Sequence, residues 1–502
     1  MSRVKAVHLL AAAALGLASC ASGPSPGPSA DARGGASSGA AATRAPIPAA
    51  VPASSVEADR YYKASVADFR SEALPNGAVL AVKRRPGSRN SAAAIFLART
   101  GAEDPARAGY EALFLAAEAR SLSAKGVAFA LALDEDAGMA LELSCPAERM
   151  AEVLGLVAKG LASPDPASAD FEVALKDARI AERREAGEPF ARAHDEIRSE
   201  RHSADFPWFP PRGTASSLAT ATRESVMRYW AERFSASRVS TVVVGDFEPE
   251  ALLRGIAPAF AALAGGKVRR GPAASVSGDS APALPSPRIK ALALSNMPGQ
   301  ALVRGEFEAP EVSSPDYPAL AVALAALDEL ALEALRGGGA AERDVLALGS
   351  ARGPSADSHR EFRTRLSAGP RPSASLIAYS EGGPAMAKAA IEEAIARLAA
   401  GRCVDPSTAD SVLAPIAAGL EAYKARAISA YYAGCASSEG MATRIAIDLS
   451  SGGNGTAVFG MSARIREVRA EDVARVARQR LLEARPAWIA LGDPDLVLGP
   501  QP

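Results

Sequence analysis

Histidine is almost missing from this sequence, with four among 502 residues. His8 falls near the start, and the rest of the chain holds only His194, His202 and His359. Zinc sites are built from imidazoles, thiolates and carboxylates that converge on one ion. His194 and His202 stand about two helical turns apart, roughly 12 Å along a helix, too far to share one. Cysteine is as scarce: Cys20, Cys145, Cys403 and Cys435, with no C-x-x-C pair. That excludes zinc-ribbon and thioredoxin-type motifs. Cys145 lies in the apolar run MALELSCP and reads as a buried thiol, while spacing leaves open whether Cys403 and Cys435 pair. An excess of charge is lacking too. Lys and Arg number 56 against 57 Asp and Glu, a formal net charge of −1, so no basic face is implied and nucleic acid is excluded as a partner. The body holds no G-x-S-x-G, and Gly337-Gly338-Gly339 lacks the Lys-Ser/Thr ending of a phosphate loop.

What is present begins with an address. Arg3 and Lys5 precede a short apolar core from Leu9 to Leu17, and LASC closes it at residues 17–20. This is a secretory signal. Its ending resembles a bacterial lipobox, which makes Cys20 the lipidation site; the other reading is an ordinary cleaved signal with an incidental cysteine. The lipoprotein reading places the protein in the bacterial cell envelope, attached to the membrane by its lipid anchor. With Ala21 rather than Asp next, that is the outer membrane where one exists. Residues 21–59 are dominated by Ala, Gly, Ser and Pro, which cannot bury enough apolar surface to offset ordering entropy and read as a disordered tether. No later apolar run approaches the length of a membrane span.

The folded body starts near residue 60. Pro75-Asn76-Gly77 marks a turn between strands, RAGYEALFLAAEARSL at 107–122 reads as a short helix, and residues 168–201 read as one long charged helix. TRESVMRYWAERFSASRVSTVVVGD, 222–246, and RAEDVARVARQRLLEARPAWIALGD, 469–493, align without a gap at an offset of 247. Glu224, Val226, Arg228, Arg233, Arg238, Gly245 and Asp246 recur as Glu471, Val473, Arg475, Arg480, Arg485, Gly492 and Asp493. A helix followed by a buried strand, repeated in register, indicates internal duplication. The expectation is α+β: two homologous domains, 60–266 and 289–498, joined by a Gly/Ser/Pro-rich linker at 267–288, each a mostly antiparallel sheet with helices on one face.

LPNGAVLAVKRRPGS, TGAEDPARAGYEALF, the end of the first repeat from Phe209 to Glu250 and that of the second from Val468 to Asp495 together resemble the insulinase-like (pitrilysin-type) metallopeptidases. The resemblance implies a clam-like chamber between two halves and a zinc metalloendopeptidase activity built on H-x-x-E-H. With Gly109 on the family's glycine, however, Ala112 and Ala116 take the histidine positions and Leu115 takes that of the glutamate. None can ligate a metal or move a proton. The distal ligand would fall near Ile180 to Glu182. Inactive members of the family commonly supply an arginine and a tyrosine from the second half. Arg336 and Arg343 are present there, but Leu346 or Leu348 stands about where the tyrosine belongs. The resemblance therefore implies a membrane-tethered pseudopeptidase without its own zinc, a non-catalytic partner of an active insulinase-like homologue. A peptide-binding or scaffold lipoprotein, with a peptide in the inter-domain chamber, is the alternative. An active metalloendopeptidase of unrecognised arrangement is the third reading.

Overall fold

The computed structural model describes residues 65–99, 104–123, 126–134, 138–201, 209–265, 289–337, 362–367, 372–405 and 412–498. Cys20, the tether, the 267–288 linker, His202, His359, Arg343, Leu346, Leu348 and the side chain of Arg336 lie outside the described residues. No helix among the described residues is long and apolar enough to cross a membrane.

Two sheets organise the chain. The first runs β1-β2-β6-β3-β5-β4, from β1 (Phe69–Ala73), β2 (Val79–Arg84), β3 (Ser91–Ala98), β4 (Ala128–Asp134), β5 (Gly138–Cys145) and β6 (Val239–Gly245). The second runs β7-β13-β8-β10-β9, from β7 (Lys290–Ala293), β8 (Ala301–Glu308), β9 (Phe362–Leu366), β10 (Ser373–Ser380) and β13 (Ala487–Gly492). A small hairpin of β11 (Arg402–Val404) and β12 (Leu413–Pro415) stands apart. Apart from the extra β1, the two orders are the same. In each, the strand from the repeat, β6 or β13, pairs in parallel with the first strand and antiparallel with the second. All the other pairings are antiparallel.

The repeated Gly-Asp at the end of β6 and β13 has a mechanical reason. Asp246 accepts from the backbone N–H of Gly87 (2.9 Å), and Asp493 from that of Gly299 (2.7 Å). Each carboxylate ties down the turn between the two strands that flank its own. These amide bonds hold both carboxyls below the usual range. The preceding glycines are places of close approach: a Cβ on Gly245 would lie 2.0 Å from Ser91 Oγ, and one on Gly492 would lie 2.2 Å from the Gln300 carbonyl. The Pro75–Gly77 turn is likewise fastened, since the Asn76 amide donates to the carbonyls of Phe260 (2.7 Å) and Leu263 (3.0 Å).

The helices used below are α1 (Tyr110–Ser123), α2 (Met150–Ala162), α3 (Ser168–Ala186), α4 (Pro189–Arg201), α5 (Arg223–Arg233), α6 (Pro249–Ala261), α7 (Asp316–Gly337), α8 (Pro384–Ala399), α9 (Ile416–Ala433), α10 (Ser438–Ser450) and α11 (Ala470–Ala477). The single helix expected over 168–201 is in fact α3 and α4. Gly187 ends the first, and Pro189, with no N–H to continue the ladder, opens the second. The break lets α4 leave its own domain. Ala193 and Ile197 pack with Leu302, Ile377, Ile489 and Leu491 of the second sheet. The same offset of 247 carries α3 onto 415–433 and α4 onto 436–448, which are α9 and α10. α10 in turn packs on β3 and β6 of the first sheet.

The first sheet is therefore buried on both faces, and its strands sort their residues by alternation. Leu80, Val82, Ile95, Leu97, Leu141 and Val243 point to α1, α2, α5 and α6. Ala81, Ala94, Phe96, Ala98, Ala140, Val242 and Val244 join one core with Ala442, Ile445, Ala446 and Leu449 of α10. Two homologous α+β domains are present. The space expected to form a chamber between them is occupied, in the described residues, by these exchanged helices. Thr443 donates to Glu142 (2.5 Å), Arg85 to the Ala436 carbonyl (3.0 Å), and Phe69 meets Phe459 edge-on at 5.7 Å across the same boundary.

In the second domain α7 occupies the place that α1 holds in the first. On it, Asp328 accepts from the side chain and backbone of Thr364 on β9, yet burial pushes its carboxyl up to about 6 from 3.8. The native state then holds this proton more tightly than the unfolded chain. Stability is lost as pH rises from about 4 to about 6, and the whole loss stands above that window. Asp328→Asn is expected to stabilise the protein at pH 7.5 by roughly 1–3 kcal/mol. The gap should narrow toward pH 4.5 in urea unfolding; a pH-independent gap, or a weaker variant, contradicts this account.

Candidate functional site

The helix where ligands were sought, α1, begins from a tightly fastened loop. Asp104 caps the turn Pro105–Arg107 by accepting from the Ala106 N–H (2.9 Å). Gly109 follows at φ +81, and a Cβ there would lie 2.4 Å from the Cα of Gly213, itself at φ +93. The two glycines pass backbone against backbone, and Ser217 Oγ donates to the Ala108 carbonyl (2.8 Å) beside them. Side chains at either position would force this crossing apart.

From this start the helix lays an apolar face on the first sheet. Phe114 stacks on Trp230 (centroids 3.8 Å apart), Trp230 stacks on Phe234 (4.9 Å), and the indole N–H donates to the Leu161 carbonyl (3.2 Å). Ala112 and Leu115 are buried in that core, and Ala116 is half-buried against it. The structure thus brings the three degenerate positions together on one side of α1, as part of its packing. On the neighbouring α3, Ser121 reaches Asp170 (2.7 Å) and Arg120 pairs with Asp177. Glu182, the candidate distal ligand, is half-buried on α3.

The charged groups of this region are spent on one another. Glu111 receives both terminal nitrogens of Arg238 at 2.7 Å. Arg238 is fully buried and also donates to the carbonyls of Ala98 (2.9 Å) and Arg233 (3.0 Å). This bidentate pair pins the head of α1 to the start of β6. Farther along, Arg212 lies between Glu185 (2.9 Å) and Asp195, two carboxyls that burial pushes up. A guanidinium, not a metal, supplies the positive charge for that acid pair. Glu118 fills the surface of α2 at Gly160, where a Cβ would come within 2.1 Å of its carboxylate. Nothing in the local sequence marks Glu111 as the anchor that neutralises a buried arginine. Arg238 and Arg212 gave no local sign, since their partners lie more than a hundred residues away or across a helix break.

His194 does not face this site. It lies on α4 against the second sheet, where burial and the guanidinium groups of Arg304 and Arg198 hold its imidazole well below the usual range. Cys145, Cys403 and Cys435 are buried free thiols. Among the described residues no group of three His, Cys, Asp or Glu side chains converges as a metal site. The donor chemistry at α1 itself does not fit zinc, because methyl and isobutyl side chains at 112, 115 and 116 offer no lone pair.

A duplicated sheet-and-helix body, with an apolar helix after the second strand of the repeat, defines the class of fold. No family model and no curated protein matches the sequence. Solved structures do share the fold. The peptidase M16 inactive domain from Pseudomonas fluorescens aligns with a TM-score of 0.62 at 15% identity, covering 85% of this chain and 98% of that one. An M16-like peptidase from Alicyclobacillus acidocaldarius gives 0.60 at 15%, over 85% and 98%. A protease from Helicobacter pylori gives 0.59 at 12%, over 84% and 99%. The chain has the insulinase-like, pitrilysin-type fold.

Two substitutions examine this arrangement. Leu115→Glu places an unpaired carboxylate in the core, so it is expected to lower stability by about 3 kcal/mol or more without conferring zinc binding. A variant that melts like the parent and retains zinc through dialysis would overturn the packing role. Glu111→Ala leaves Arg238 buried without a counter-charge and should cost about 3–5 kcal/mol in denaturant unfolding. A loss within about 0.5 kcal/mol, the range of an ordinary surface site, would show that the pair does not hold the helix.

Proposed function

We propose that this protein is a membrane-tethered pseudopeptidase, a zinc-free subunit that associates with a catalytically competent insulinase-like homologue in the bacterial envelope. The observation that carries the reading is the inward face of α1. The helix keeps its place in the fold, yet Ala112 and Leu115 are buried apolar side chains where ligand and base would stand. The similarity of almost the whole body to a solved inactive domain supports it. The lipid anchor at Cys20 and the envelope location rest on the sequence of the first twenty residues.

A second reading, a scaffold lipoprotein, is favoured by one feature. The exchanged helices α4 and α10 fill the space where a peptide chamber was expected, so the outer surface rather than an interior groove is left for contacts. The deciding experiment is a pull-down of the full lipidated protein from its native membrane in mild detergent, with mass spectrometry of what accompanies it. Stoichiometric recovery of a homologue bearing H-x-x-E-H is the expected result. Repeated recovery of unrelated envelope proteins and no such homologue moves the assignment to the scaffold. One tightly held zinc per purified molecule, with peptide cleavage lost on chelation, removes both readings in favour of an active enzyme.

A further inference from the structure

Asn-Gly occurs twice in the chain, at 76–77 and at 454–455. A glycine after asparagine leaves the following backbone nitrogen unscreened by a Cβ, so that nitrogen can reach the side-chain amide carbon. The fold gives the two pairs opposite surroundings. In the first, the group that would have to leave is pinned. Asn76 Nδ2 donates to the carbonyls of Phe260 (2.7 Å), Leu263 (3.0 Å) and Ala261 (3.3 Å). The Gly77 N–H donates to the Leu74 carbonyl (2.9 Å), a neutral group and a poor base.

The second pair is arranged for reaction. Asn454 is exposed, in the loop between α10 and the helix Ala457–Arg466. Its Oδ1 accepts from the Thr456 N–H (3.0 Å) and from the Thr456 hydroxyl (2.7 Å). A backbone N–H can only donate, which fixes that atom as the oxygen. Nδ2 is then left with no acceptor among the described residues. Two donors on the carbonyl oxygen stabilise the negative charge that develops there when the carbon is attacked. The nucleophile is provided for as well. The Gly455 N–H donates to Asp448 Oδ2 (2.8 Å), so a carboxylate rather than a carbonyl stands ready for its proton. Burial pushes that carboxyl up, which makes it the stronger base.

We propose that Asn454 is a self-modification site, deamidated in the folded protein with Asp448 as base, while Asn76 is protected. The Gly455 nitrogen bonds to Asn454 Cγ and gives its proton to Asp448. The Cγ–Nδ2 bond breaks, and Nδ2 takes that proton and leaves as ammonia, closing a succinimide. Water then opens the ring at either carbonyl, to aspartate or isoaspartate. The change falls at a sensitive place. Gly455 is buried, and a Cβ on it would lie 2.7 Å from Phe69 Cζ, beside the Phe69–Phe459 contact between the two domains. A new carboxylate next to Asp448, or an extra backbone carbon before Gly455, loosens the seat of α10 on the first sheet. This site goes beyond the pseudopeptidase reading and does not depend on it, so its failure would leave that reading untouched.

The test is a time course of the full-length protein in mild detergent, incubated warm at neutral pH in heavy-oxygen water and read by peptide mass spectrometry. In the folded protein Asn454 is expected to convert about tenfold faster than Asn76 or more. In urea the two rates should come together, because the pairs share a sequence and differ only in surroundings. Asp448→Asn keeps an acceptor for the Gly455 N–H and removes the base, so it should slow conversion at Asn454 about tenfold. If that variant does not fold, Thr456→Ala, which removes one donor to Oδ1, carries the same expectation. The converted fraction, separated by its added charge, should melt below the parent. No conversion at Asn454, equal rates at the two pairs in the folded protein, a ratio that urea leaves unchanged, or a folded variant that converts like the parent each overturns the proposal. An unchanged melting temperature of the converted fraction overturns its link to α10.

Discussion

The exchange of α4 and α10 between the two sheets is the contact on which the rest of the molecule depends. Neither sheet can cover both of its faces with helices from its own domain. α10 closes the first sheet, and α4 lies on the second. Each domain thus supplies the lid of the other, and the 247-residue repeat becomes one body rather than two. The two lids are chemically unlike. Under α10 the contact is almost wholly apolar, with alanines on β2, β3 and β5 that let the helix approach closely. Under α4 it holds a buried carboxylate, Glu306, which takes Arg198 at 2.9 Å, Arg304 at 2.8 Å and Ser375 at 2.8 Å. Buried ion clusters add little net stability but punish a wrong register, since any slip leaves a charge unpaired. The apolar lid therefore supplies the binding energy of the exchange, and the polar one fixes which helix lies where.

That division explains how α1 is held in its position. Its sheet is held from behind by α10, its head by the Glu111–Arg238 pair, and its flank by the stack of Phe114, Trp230 and Phe234. These constraints are satisfied equally by a helix with ligands and by one without. An apolar Ala112, Leu115 and Ala116 even relieve the fold of burying polar groups that only a metal could neutralise. The architecture is consequently silent about activity, and the side chains at these three positions carry the distinction.

Local features of the fold were legible in the sequence where local rules govern them. The Pro75-Asn76-Gly77 turn and the short helix after Gly109 each follow from turn chemistry or periodicity. The repeat from 222 to 246 was legible because Gly-Asp is needed twice for the same job, a close strand crossing and a carboxylate cap on the neighbouring turn. What was not legible depends on distant partners. Arg238 and Arg485 look equivalent in the alignment. Yet Arg238 is fully buried on Glu111, while Arg485 is exposed. The charged stretch 168–201 reads as one solvated helix because nothing nearby reveals that Ala193, His194, Ile197 and Arg198 form an inward face for a sheet more than a hundred residues away.

Packing also bears on whether α1 could host a metal site. A zinc site like the one the family resemblance implies would need three ligating or basic side chains at once on α1 and a further acid on α3. Any one of them introduced alone at position 112 or 115 would be a polar group buried in a packed core with no metal to neutralise it. Each single step is therefore destabilising, and the benefit appears only when all are present. Glu185 and Asp195, half-buried acids on α3 and α4, are already committed to Arg212. The packed state of α1 is thus a local optimum with a barrier on every side.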